Sequence, residues 1–149
     1  MIARIQAELR AAMLAGDRSR VGALRLMLSA LQKAEKDGAA GAFSEADAEA
    51  VLRRERKQRI EAAEAYRAAG HADRAAHEEA DVPVIDEFLP AAMDAAELVA
   101  LVDAAIAETG ATSMRDMGKV MGLVTKRGAG RVDGKAASAL VRERLTETV

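Results

Sequence analysis

The chain has 149 residues, enough for one domain or two small packed lobes, and with no cysteine it excludes disulfides, thiol nucleophiles and cysteine-ligated metals. Its formal net charge of −2 argues against a bulk nucleic-acid coat, so any anionic partner needs a local basic patch. The N-terminus "MIARIQAELR" has no apolar leader and no run nears the roughly 18 apolar residues that span a bilayer, so the expectation is a cytoplasmic protein without a membrane partner.

Half of the residues are hydrophobic and only 2% are aromatic, with alanine dominant. Alanine is the best helix former, and a core drawn from Leu, Val, Ile and Met suits closely packed helices, so the predicted class is all-α. Ile2, Ile5, Leu9 and Met13 recur at helical spacing, and Gly16 followed by Asp17 reads as a stop and a new N-cap. Val21, Leu24, Leu28 and Leu31 line a second helix ending at Gly38, and "GAAGA" (38–42) is a loop. Ser44 with Asp47 forms a capping box for a third helix reaching about Gly70. His71 to Ala80 is a short charged helical piece. In "DVPVIDEFLP" Asp81 can cap a new short helix with Pro83 in its first turn, where the missing N–H costs little. That helix ends before Pro90.

The predicted lobe boundary falls there, giving an N-terminal helical bundle over 1–90 and a three-helix lobe over 91–149. Asp94 with Glu97 caps the first helix of the second lobe, and Gly110 closes it. Ser113 with Asp116 opens the next helix, and Asp133 opens the last.

The stretch from Arg115 to Lys135 holds Arg115, Lys119, Lys126, Arg127, Arg131 and Lys135 against two acids, Asp116 and Asp133, both at cap positions. On a helical wheel Met114, Met117, Val120, Met121 and Val124 share one arc, while Arg115, Lys119 and Lys126 lie opposite with Gly122. Gly118 and Gly122 each cost roughly 1 kcal/mol against alanine in a helix interior, which asks for a reason. One reason is close helix packing; the other is approach by a nucleic-acid backbone whose phosphates meet the lysines and arginines. The loop "KRGAGRVDG" adds Gly128 and Gly130 as permissive backbone beside Lys126, Arg127 and Arg131. On the final helix Lys135 and Arg142 face the same way, opposite Ala137 and Leu140.

A second basic run, "RRERKQR" (53–59), is interleaved with acids. Lys57 and Glu61, four apart, read as an ordinary surface ion pair. His71 and His77 are six apart and do not share a helix face as metal ligands would. No nucleophile elbow, P-loop or dinucleotide fingerprint occurs. No catalytic residue, metal or cofactor is expected.

Three stretches together carry a resemblance: "LRLMLSALQKAEKD", "ERKQRIEAAEAYRAAGHADRAAHEEADVPVIDEFLP" and "DMGKVMGLVTKRGAGRVDGKAASALVRERL". In the last, Gly118, Val120, Met121, Gly130, Arg131, Asp133 and Leu140 stand where the signature "GxVM…KG(K/R)A(D/N)" is found. The chain resembles the YqeY-like family, related to the C-terminal tail domain of GatB, a component of the glutamine-dependent aminoacyl-tRNA amidotransferase. That resemblance implies a two-lobed helical protein that binds tRNA without catalysis of its own, since the transamidation chemistry resides in other parts of the amidotransferase. A carbon–nitrogen ligase label with glutamine as amido donor would be inherited from that larger enzyme. The candidate tRNA-binding residues are Lys119, Lys126, Arg127, Arg131 and Lys135, with Gly118, Gly122 and Gly130 permitting approach. The alternative is an adaptor docking on an aminoacyl-tRNA synthetase or amidotransferase. Ala129 stands where the family often has lysine, Val132 where alanine is usual, and Pro83 where relatives usually continue a helix.

Overall fold

A computed structural model describes residues 1–38 and 41–147; Ala39 and Ala40 of the expected loop and the last two residues lie outside the described residues. The described residues form seven α-helices and one short 3₁₀ turn, with no strand, so the fold is all-α. No helix among them is long and apolar enough to cross a membrane. The chain divides into two compact units, Met1–Leu89 and Pro90–Val149.

The first unit contains α1 (Ile2–Ala15), α2 (Arg18–Asp37), α3 (Glu45–Ala68) and α4 (Ala72–Asp86). Its ends are set by local chemistry. Gly16 closes α1 in the left-handed region at φ 70°, and Asp17 then accepts from Arg20 N to start α2. Asp47 N donates to Ser44 Oγ at 3.1 Å while Ser44 N donates to Asp47 Oδ2 at 2.9 Å, the reciprocal box that opens α3. Ile5, Leu24, Met27, Leu31, Leu52 and Ile85 are the large side chains fully buried in its core.

One expectation fails here. The chain does not restart at Asp81: α4 is a single helix with Pro83 inside it, and Asp81 is buried rather than capping. Pro83 removes the N–H that the Glu79 carbonyl would accept in a regular helix. Glu79 is exposed, so water can satisfy that oxygen. Meanwhile Ala75, Asp81 and Ile85 are all buried along one side of α4, and their packing holds the helix through the proline.

The second unit contains α5 (Ala95–Thr109), a 3₁₀ turn (Met114–Asp116), α6 (Met117–Gly128) and α7 (Gly134–Glu147). Glu97 N donates to Asp94 Oδ1 at 2.7 Å and Asp94 N to Glu97 Oε2 at 3.0 Å, the expected cap of α5. Val102 and Ala105 of α5, Val120 and Val124 of α6, and Ala137, Val141 and Leu145 of α7 are buried together.

Candidate nucleic-acid interface

The second unit carries the charge-segregated stretch, and α6 is its spine. Asp116 accepts from Thr112 N at 3.0 Å and from Ser113 N at 3.3 Å, which fixes the turn preceding α6. These backbone bonds hold the Asp116 carboxyl below its ordinary pKa, with Lys119 adding a smaller pull. Val120 and Val124 are fully buried, and Met117, Met121 and Leu123 are half-buried beside them. Met114 departs from the predicted core arc: it is 43% exposed. It sits in the 3₁₀ turn, where three residues per turn replace 3.6, so the α-helical wheel does not apply to it.

The opposite side of α6 is open. Gly118 and Gly122 are exposed, and a Cβ built on either would meet no atom within 4 Å beyond its chain neighbours and the nearby backbone of its own helix. Packing against another described helix of the second unit is therefore not what their missing side chains accommodate. Lys119 and Lys126 flank this bare backbone, about 10 Å apart along the axis and on the same side, because seven residues make almost two full turns. Both are exposed, and among the described residues neither is in an ion pair; the same holds for Lys135 at the start of α7.

The two arginines of the set behave differently. Arg127 falls only about 20° from Val120 on the wheel of α6. That azimuth faces the neighbouring helix, and Arg127 Nη2 forms an ion pair with Glu108 Oε2 near the end of α5. Arg131 turns back into the unit. Its Nε donates to the Ala91 carbonyl oxygen at 2.8 Å, and Nη2 lies 3.2 Å from Glu97 Oε2, the carboxylate that also caps α5. Its own carbonyl accepts from Met93 N at 2.9 Å. Arg131 thus ties the chain entering α5 to the loop leaving α6, an arrangement for which the only sequence signal was the carboxylate at Glu97.

The loop has a second constraint. Gly128 is buried, and a Cβ there would overlap the Val132 side chain. Ala129 and Gly130 then both take left-handed backbone, at φ 46° and 77°, which lets Arg131 N reach back to Gly128 O at 2.8 Å. Gly130 adopts this conformation at no steric cost, whereas at Ala129 the Cβ opposes it. Asp133 then accepts from Lys135 N at 3.0 Å and starts α7. Lys135 and Arg142 are exposed on α7, with Ala137 buried and Leu140 half-buried.

The other basic run is an ion-pair surface in the first unit. Arg53 pairs with Glu49, Arg56 with Asp86 and Lys57 with Glu61. Arg59 faces Glu55, Glu78 and the buried Asp81, whose carboxyl is pushed up by burial against the opposing pull of Arg59. No group of three or more His, Cys, Asp or Glu among the described residues is arranged to hold a metal ion.

A family model described as Yqey-like protein matches residues 2–145. No curated protein matches the chain. The match covers nearly the whole length, so the chain belongs to the YqeY-like family.

Proposed function

We propose that this YqeY-like family member is a tRNA-binding accessory protein whose second unit grips the RNA backbone through the open face of α6 and the start of α7. The observation that carries the reading is the combination at Gly118 and Gly122: helix backbone where an added Cβ would meet nothing within 4 Å beyond its own helix, bordered by Lys119 and Lys126, neither of them in an ion pair among the described residues. A sugar–phosphate chain laid there meets no Cβ, and the ammonium groups are free to take phosphates. No aromatic side chain stands among these cations, so the face suits backbone shape rather than base stacking. Lys135 extends the cationic set. Gly130 and Arg131 support it by shaping the loop.

The test is binding to bulk tRNA across a salt series. Lys119→Glu with Lys126→Glu is expected to weaken binding at least ten-fold and to flatten the salt slope by about 2, one per phosphate contact. Unchanged affinity and slope in that double variant would sink the assignment.

A second reading, an adaptor that docks on an aminoacyl-tRNA synthetase or amidotransferase, draws on the first unit. Met13, Leu14 and Leu26 are 53%, 91% and 50% exposed there, more apolar surface than folding requires. Retention of a synthetase or amidotransferase after nuclease treatment, lost on Leu14→Ser with Leu26→Ser, would favour it.

A further inference from the structure

We infer that Glu108 is a resident competitor for phosphate at Arg127, so that the guanidinium joins the RNA-binding set only by exchanging one anion for another. The inference rests on the RNA-backbone reading above and concerns how that face is restrained. Arg127 and Glu108 form an ion pair in which both side chains are about half exposed, 43% and 51%. Such pairs contribute little to folding and open readily. The Arg127 side chain makes no other ion pair among the described residues, and it sits in the last turn of α6, where the helix macrodipole favours a cation whichever anion it holds. A guanidinium fork accepts a phosphate in the same two-pronged way as a carboxylate.

Arg131 supplies the contrast within the same unit. It is held by a backbone carbonyl as well as a carboxylate, and that carboxylate is itself committed to a helix cap. Exchange there would dismantle the junction between Ala91 and Glu97. Arg131 is therefore a positioning residue, and Arg127 is the exchangeable one. Glu108 lowers the affinity of the resting protein twice over, by occupying Arg127 and by leaving a carboxylate beside the incoming phosphates.

The experiment is a double-mutant cycle read by tRNA binding in about 0.1 M salt. Glu108→Gln is expected to tighten binding about two- to five-fold, the range set by the strength of an exposed pair. In an Arg127→Gln background the same change is expected to have no comparable effect, because the group it releases is gone. A gain of equal size in both backgrounds would mean simple removal of negative charge and would overturn the inference, as would no gain at all. Lys119→Glu with Lys126→Glu separates the two levels. If that variant binds tRNA like the parent, the RNA-backbone reading fails; if it loses binding while the cycle shows no coupling, only the role of Glu108 fails. Circular dichroism and melting of each variant establish that the fold is retained.

Discussion

Arg131 donates its Nε–H to the carbonyl oxygen of Ala91 across 2.8 Å, linking positions 40 residues apart in sequence. The bond fastens the chain entering α5 to the loop leaving α6, and the Glu97 contact at 3.2 Å doubles the attachment. Arg131→Ala is expected to lower unfolding free energy by about 1–2 kcal/mol, since a charged donor to a carbonyl is lost and the ion pair is partly screened. Arg131→Lys recovers little of this, because one ammonium cannot reproduce a fork that spans a carbonyl and a carboxylate. Urea denaturation checks it. A freely solvated phosphate ligand would instead leave the midpoint unmoved.

Gly128 and Val132 make a steric pair. A methyl on Gly128 would overlap Val132 Cγ2, with Val132 Cβ next at 3.1 Å and Leu101 Cδ2 at 3.7 Å, so the neighbour has little room to retreat. Gly128→Ala is expected to cost about 1–3 kcal/mol, the usual range for overpacking a filled site. Adding Val132→Ala removes the overlapping atoms and should recover most of that loss, a non-additive result by thermal melting of the four proteins. Equal costs in both backgrounds would contradict the packing described.

These pairs mark where the sequence was legible and where it was not. Ser44 with Asp47 and Asp94 with Glu97 were readable because a capping box is closed within four residues. Val120 and Val124 were readable because burial on α6 follows the helical period. The azimuth of Arg127 was there to be read as well: it lies on the core side, so a partner on a neighbouring helix was implied, though not that it would be Glu108. The partners of Arg131 were out of reach, since nothing local says that Ala91 returns to this loop. Met114 was misplaced because the wheel assumed an α-helical turn where the backbone is 3₁₀.

The first unit has a pH-sensitive tie. Arg20 bridges Glu87 with two bonds, Nη1 to Oε1 at 2.9 Å and Nη2 to Oε2 at 2.8 Å, and also reaches Glu8 at 2.9 Å. Arg4 stacks over Phe88 with 4.7 Å to the ring centroid and donates to the Glu87 carbonyl oxygen. Hydrogen bonding from Arg20 holds the Glu87 carboxyl below its ordinary pKa. A depressed carboxylate contributes stability that is present above the unfolded pKa, about 4.3, and is lost as pH falls through the folded value. Glu87→Gln is expected to cost on the order of 0.5–1 kcal/mol at neutral pH, the half-exposed carboxylate being screened by solvent. The loss should shrink as pH falls below the ordinary glutamate range and through the lowered folded value, where the parent becomes protonated too. Denaturation midpoints of both proteins between neutral and acid pH measure this; a constant offset across the range would exclude the linkage.

Pro83 distinguishes two structures for the end of α4. Were Asp81 the cap of a separate short helix, Pro83 would occupy its first turn, where proline is favoured, and Pro83→Ala would be neutral or destabilising. In the continuous helix Ala72–Asp86 the residue is interior, so alanine restores an N–H for the Glu79 carbonyl and removes the ring's clash with that turn. Interior proline costs about 3 kcal/mol against alanine, and the freer unfolded chain of the variant returns up to about 1 kcal/mol of that advantage. Pro83→Ala is therefore expected to stabilise the protein by about 2–3 kcal/mol and to slow hydrogen exchange at the amides neighbouring residue 83. The contrary sign would return Asp81 to the capping role. It would also leave unexplained why that carboxylate is buried 3.4 Å from Arg59 Nε, for an N-cap turns toward the exposed first-turn N–H groups of its own helix.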